Sequence, residues 1–349
     1  MKKKILRIAI SIIVAIGVLY LLQLLLTPKY MTGIIEGAFI AEYYENETEY
    51  EEKDHDVLFV GDCEVYENFV PQVLWEEYGI HSYIRGSAQQ LIWQSYYLLE
   101  DSLCYEKPDV VVFNVLSMKY NEPQKEAYNR MSVDGMKWST TKFNAITASM
   151  LEEESMLDYI FPILRYHSRW DELTTEDFQY MFYREFMAYN GYYMRVDVKP
   201  VTTIPDAPKL PDYEFGENAY FYLDKMRELC EENDIEFVLV KAPTLYPHWY
   251  SEWEEQIEEY ATEHNLKYIN YIEHYEDIGI DFQTDTYDAG LHLNLSGAKK
   301  LSTHFGKFLV DKCGLKSRHG EEELEYIWKV KTERFQKGIE EQKEIYNVE

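Results

Sequence analysis

Hydrophobic positions along the chain fall into three textures. From Ile5 to Leu26 they form one run, broken only by Arg7 and by tolerated residues such as Ser11 and Gln23. From Asp56 to about residue 312, short apolar runs alternate with stretches whose apolar residues recur at helical intervals. From Gly320 onward, Leu324, Ile327, Trp328, Phe335 and Ile339 stand among charges at near-helical spacing, which predicts an amphipathic helix packed on the domain or on a partner.

The middle texture carries the fold. Val57 to Val60 show no alternation, as expected of a strand covered on both faces, and Lys107–Leu116 reads the same way. With Ile80–Arg85, Ile235–Lys241 and Leu266–Asn270 these make five predicted strands. Helices are predicted between them at Pro71–Tyr78, Gln89–Cys104, Glu217–Asn233 and Ser251–His264. A last helix runs from Ser296 as N-cap through Ala298, Leu301, Phe305 and Leu309. Strand alternating with helix predicts an α/β fold around a parallel sheet of about five strands. Residues 117–215 interrupt the rhythm with helical stretches around 143–164 and 175–188, rich in Met and aromatic residues, and a Pro-punctuated segment from Pro200 to Pro211. An insertion of this length beside a sheet edge predicts a cap over a site.

The first run is long enough to cross a bilayer at ~1.5 Å per residue. No small-x-small cleavage site follows it, which favours an uncleaved anchor over a signal peptide. Lys2, Lys3, Lys4 and Arg7 outweigh Lys29, so the N-terminus is expected in the cytoplasm and the rest of the chain outside, as a single-pass membrane protein. The formal net charge of -29 argues against nucleic acid as a partner and against polyanionic substrates. The tyrosine-bearing acidic run Glu42–Asp56 lacks an apolar period and reads as a solvated spacer between membrane and domain. The 32 tyrosines and 7 tryptophans offer stacking surfaces suited to sugars, although most serve packing. Cys63, Cys104, Cys230 and Cys313 show neither a disulfide framework nor metal-site spacing, and no cofactor is expected. Cys104 and Cys230 fall on predicted helices as small buried residues, and Cys313 near the end of a late one.

Cys63 is set apart by position. Gly61 lets the first strand turn sharply at the edge where open α/β sheets bind ligands, and Asp62 and Cys63 follow it. Near the other end, His292 stands in the loop just before the last helix, four residues after Asp288. A carboxylate there can orient the imidazole through its Nδ1 proton and leave Nε2 as general base for a thiol nucleophile. The predicted set is Cys63, His292 and Asp288, with Asp285 the reserve acid. Lys241, at the end of the fourth predicted strand, reads as a surface lysine.

Gly61-Asp62-Cys63, Gly86 after the second strand, and Asp288 through His292-Leu-Asn294 resemble the SGNH/GDSL hydrolase superfamily over about residues 56–312. The anchor adds a likeness to membrane-tethered members in Gram-positive bacteria, including the D-alanyl transfer protein of teichoic acid modification and proteins of polysaccharide O-acetylation. The resemblance implies a flavodoxin-like three-layer α/β/α sandwich performing ester hydrolysis or acyl transfer on cell-envelope glycans through a covalent acyl-enzyme. It divides the chain into an anchor (1–27), an acidic linker (28–55), the SGNH-like domain (56–316) and a C-terminal amphipathic helix (317–349). The family's serine is replaced by Cys63, which implies a thioester, and its acid usually stands three residues before the histidine. Its Gly-x-Asn-Asp after the third strand is absent, Leu116-Ser-Met-Lys119 standing there instead. Oxyanion stabilisation then falls to backbone N–H groups at Cys63 and Gly86, with Asn114, Asn121 and Gln89 as candidate side-chain donors. The replaced nucleophile and missing motif leave a second reading open: a weak relative that binds or scaffolds envelope polysaccharide machinery.

Overall fold

The computed structural model describes residues 2–28, 38–182 and 186–348, so that Lys29 lies outside the described residues. In chain order its helices are α1 (Lys2–Leu26), α2 (Ala38–Glu42), α3 (Cys63–Tyr66), α4 (Pro71–Tyr78) and α5 (Ile92–Ser102). The interruption contributes α6 (Glu126–Val133), α7 (Thr140–Ser149), α8 (Met156–Ile160), α9 (Ile163–Tyr166) and α10 (Thr175–Gln179). The chain continues with α11 (Glu217–Glu232), α12 (Ser251–Glu263), α13 (Leu295–Cys313) and α14 (Glu322–Tyr346). The strands are β1 (Val57–Gly61), β2 (Ser82–Gly86), β3 (Val110–Asn114), β4 (Glu236–Lys241) and β5 (Lys267–Asn270). All four pairings are parallel and the order is β2-β1-β3-β4-β5, the flavodoxin-like arrangement with its switch point between β1 and β3.

The unbroken apolar runs are explained by two cores, one on each face of the sheet. Val57, Phe59, Val112 and Val238 point into a core shared with Val73 and Leu74 of α4 and Leu301 and Phe305 of α13. Their neighbours Leu58, Val60, Phe113 and Leu239 point into a second core with Trp93 of α5, Leu223 of α11 and Ile257 of α12. Successive side chains alternate between faces, so a strand covered on both sides has no polar position to spare. Burying each Val, Leu or Phe contributes roughly 1.5–3 kcal/mol, which makes these strands the strongest determinant of the fold.

Four expectations need correction. Glu42–Asp56 is not a solvated spacer. Glu47 and Glu51 pair with Arg334 and Lys331 of α14 at 2.7 and 2.5 Å, Tyr43 is buried and donates to Glu106 at 2.6 Å, and His55 is buried beside the same carboxylate. Two of these acids are thus partners of α14, which also inserts Leu324, Ile327, Trp328, Phe335 and Ile339 into the domain. Cys104 lies past the end of α5 and is exposed, whereas Cys230 is buried in α11 as expected. The last helix starts two residues earlier than predicted, because Asn294, not Ser296, caps it by accepting from Ser296 N and Gly297 N at 3.0 and 3.2 Å. The long helical stretches of the insertion are several short helices, broken at Pro162 among other places, and residues 183–185 lie outside the described residues.

Candidate active site

The site begins where β1 runs out. Gly61 has φ +154°, and a Cβ there would fall 2.4 Å from Cγ2 of Val65 and 3.1 Å from Cβ of Asn114, so only glycine fits the turn. Asp62 is buried and caps α3 by accepting from Glu64 N at 3.1 Å, which sets Cys63 as the first helical residue. Gly86 is the register partner of Gly61 on β2, and a Cβ on it would meet the Gly61 carbonyl oxygen at 3.1 Å. Two small residues in register open the carboxyl edge directly beside the thiol.

The facing wall is the loop before α13. Ala289 and Gly290 both have positive φ (68° and 99°), and this double left-handed step folds residues 288–292 back on themselves. Asp288 Oδ1 accepts from Leu291 N at 3.2 Å and His292 N at 2.8 Å, while Oδ2 meets His292 Nδ1 at 2.6 Å. One carboxylate therefore shapes the loop and orients the ring, which is how a four-residue spacing reaches the imidazole. Asn68, just beyond α3, ties this loop to the β1 side by accepting from Leu293 N at 2.9 Å.

The thiol sulfur of Cys63, a carboxylate oxygen of Glu67 and a ring nitrogen of His292 lie within 4.8 Å of one another. Glu67 was not foreseen from the sequence, although it stands four residues after Cys63 and so about one helical turn on. It is buried, its Oε2 lies 3.6 Å from His292 Nδ1, and Tyr287 donates to it. These three groups are also a donor set that a soft divalent cation accepts, although Nδ1 and Glu67 already have protein partners.

Burial and charge set the protonation of the group. Burial opposes a charged imidazole, but the Glu67 charge, the thiol and the hydrogen bond to Asp288 outweigh it and hold His292 well above 6.5. Burial would raise Asp288, yet its hydrogen bonds to His292 and that ring's charge hold it below 3.8. Burial raises Glu67 above 4.5 against the pull of His292. Burial pushes the Cys63 thiol up to about 11, with the His292 charge pulling in the other direction. The two carboxylates at His292 thus favour a charged ring, while burial favours the neutral thiol of Cys63. His292 Nε2 is buried and makes no hydrogen bond of ordinary length among the described residues.

Two cavities meet at Cys63, Gln89, Leu291 and His292. The larger, about 340 Å³, is aromatic, with Phe39, Tyr66, Tyr128, Tyr193 and Tyr287 in its walls and Gly86 at its base. Tyr128 and Met131 of α6, in the first part of the insertion, are among its lining residues. The smaller, about 160 Å³, includes Asp62, Lys119, Tyr120, Thr244 and His248 in its lining. Lys241 also reaches it, not as a surface residue but fully buried, with Nζ 2.7 Å from both carboxylate oxygens of Glu64.

The other predicted groups are placed as follows. Asp285 is buried, and its carboxylate is engaged by Lys300 at 2.6 Å and by Asp281 N at 2.8 Å. Asn114 accepts from Leu116 N at 3.0 Å, and its Nδ2 is buried without a partner among the described residues. Asn121 accepts from Asn218 N at 2.9 Å at the start of α11 and lines neither cavity. Gln89 has φ 52° and lines both cavities.

The molecule is thus a three-layer α/β sandwich of flavodoxin-like order with a thiol, an imidazole and two carboxylates gathered at the carboxyl edge of its sheet. No protein-family model and no curated protein matches the chain. Among solved structures it is similar to a lipolytic protein of the G-D-S-L family from Desulfitobacterium hafniense DCB-2, with 14% identity over 73% of this chain and 99% of that one and a TM-score of 0.35. An acylhydrolase from Bacteroides fragilis NCTC 9343 gives 12% identity over 79% and 95% with a TM-score of 0.36. A GDSL-like lipase from Bacteroides thetaiotaomicron VPI-5482 gives 13% over 78% and 97% with a TM-score of 0.34.

Proposed function

We propose that the protein is a membrane-anchored, extracytoplasmic esterase or O-acyltransferase acting on cell-envelope glycans, with Cys63 as nucleophile, His292 as base and Asp288 as orienter. The observation that carries this reading is the His292 ring, bonded to Asp288 at 2.6 Å and grouped with the Cys63 sulfur. His292 Nε2 takes the thiol proton as sulfur bonds to the ester carbonyl carbon, and the resulting oxyanion is met by backbone N–H groups at Cys63 and Gly86. Collapse breaks the carbon–oxygen bond, and His292 returns its proton to the leaving alkoxide, which leaves a thioester on Cys63. Water or a glycan hydroxyl then attacks the thioester, with His292 again as base. The aromatic walls of the larger cavity favour a neutral saccharide or its acyl group. The meeting of two cavities at the thiol supports transfer, because donor and acceptor each have a place. In this reading residues 1–27 are a retained single-pass anchor with its N-terminus in the cytoplasm, and the domain of 56–316 lies outside.

One observation favours the second reading, a catalytically weak relative that binds or scaffolds polysaccharide machinery. Burial pushes the Cys63 thiol up to about 11, which disfavours the thiolate, and the rise in His292 leaves less of the neutral ring that must accept its proton. Turnover of an O-acetylated neutral oligosaccharide by the full chain, followed by release of acetate and by transfer to a second oligosaccharide, separates the two. Turnover that disappears in Cys63→Ala supports the enzyme. Saccharide binding without turnover in folded wild-type protein supports the scaffold.

A further inference from the structure

The anchor helix does not leave the domain through empty space. Side chains of α1 from Ile5 to Leu22 are exposed, but Leu26 is buried, because the end of α1 abuts α9, the 3-10 turn His167–Asp171 and α10. Arg169 fastens the junction by donating from its guanidinium to the Leu26 carbonyl oxygen at 2.6 Å, with Asp177 and Glu172 each 3.4 Å from the same guanidinium. If α1 crosses a bilayer, its last turn marks the outer membrane surface, and whatever surrounds that turn lies at the same level.

Each of the three elements touching α1 carries a large apolar side chain in the open: Leu164 on α9, Trp170 on the 3-10 turn and Phe178 on α10. Phe161 and Phe182 flank them, and Trp170 and Phe182 are 72% and 76% exposed. Single exposed apolar residues on a surface need no explanation, but a group of them around the exit of an apolar helix does. Aromatic side chains are at home at the bilayer interface, where the ring meets acyl chains and a polar edge meets water.

We propose that residues 161–182 form a membrane-seated platform: the second part of the insertion lies in the outer interface around α1, with Trp170 and Phe182 inserted among the lipids. The occupant is the bilayer, and the argument for it is continuity with α1. The proposal rests on α1 being a retained anchor. It gives the two parts of the insertion different tasks, since α6 lines the cavity while α9 and α10 hold the domain at a fixed height and tilt. A site so held acts on substrates at the membrane face.

The test uses the full chain reconstituted in phosphatidylcholine vesicles whose acyl chains are brominated near the headgroup or near the methyl end. Intact mass first establishes whether residues 2–26 remain on the chain, and their removal from the mature protein would overturn the proposal together with the anchor reading. With α1 retained, shallow bromines are expected to quench tryptophan emission more than deep ones, and Trp170→Phe to remove most of that quenching. Trp138→Phe, which removes another exposed indole, is expected to leave it unchanged. Equal quenching in wild type and Trp170→Phe overturns the platform while leaving the anchor intact. Trp170 emission that follows protein density instead of bromine depth also overturns it, in favour of a second copy on this surface.

Discussion

Two buried imidazoles in this molecule have their proton affinities driven in opposite directions. His81 is fully buried, accepts from Trp328 Nε1 at its Nδ1 at 3.0 Å and stacks on His55 with ring centres 4.3 Å apart. Burial, then the neighbouring His55 and the cations Lys331 and Arg318, hold it well below 6.5. His292 is buried almost as deeply, but it faces Asp288, Glu67 and a thiol, and is held well above 6.5. Burial alone makes an imidazole neutral, and paired carboxylates reverse that. The difference separates a histidine that packs α14 onto the domain from one equipped to exchange protons.

Substitutions break this contrast in a graded way. Cys63→Ala is expected to abolish the thioester adduct formed with an activated ester, because the Cys63 sulfur is the atom acylated. His292→Ala should lower the labelling rate by roughly 10²–10⁴-fold, the usual worth of a positioned base. An unchanged rate would reduce His292 to a structural residue like His81. At the second imidazole, Trp328→Phe leaves a buried acceptor unpaired and should cost about 1–3 kcal/mol in denaturant unfolding, with labelling of Cys63 unaffected. The smallest effect sharpens the comparison. Glu67→Gln removes a negative charge beside His292, so the ring's raised pKa moves back toward 6.5 and its basic form appears at lower pH. Labelling in wild type should rise as pH climbs through the raised value, and in Glu67→Gln the same rise should come earlier, with a several-fold gain at neutral pH. A profile that does not move would mean that Glu67 does not control the ring.

The sheet was legible because its signal is local. Val57–Val60 and Val110–Phe113 are buried on both faces and must be apolar throughout, and α4 was bounded by Pro71 and Gly79 in the sequence itself. Cys63, His292 and Asp288 could be named because each follows a glycine turn or precedes a helix start, features that fix position at a sheet edge. Glu67 could not, since its meaning comes from a loop more than two hundred residues away that brings His292 and Tyr287 against it. The acidic run 42–56 misled for the same reason: its charges look solvated until Lys331 and Arg334 arrive from the far end of the chain. Lys241 looked superficial because its partner Glu64 lies on another element. Burial of apolar side chains is written in short windows, whereas compensation of charge is a long-range pairing that composition does not reveal.

The central claim is that Cys63 is a nucleophile served by His292, and intact-protein mass spectrometry after exposure to an activated acyl ester tests it most directly. One acyl group is predicted on wild-type protein, mapped to Cys63, labile to hydroxylamine as a thioester and strongly reduced in His292→Ala. Folded wild-type protein that carries no adduct on Cys63 at any pH up to the alkaline range, or an adduct on Cys63 that forms equally well without His292, would contradict it.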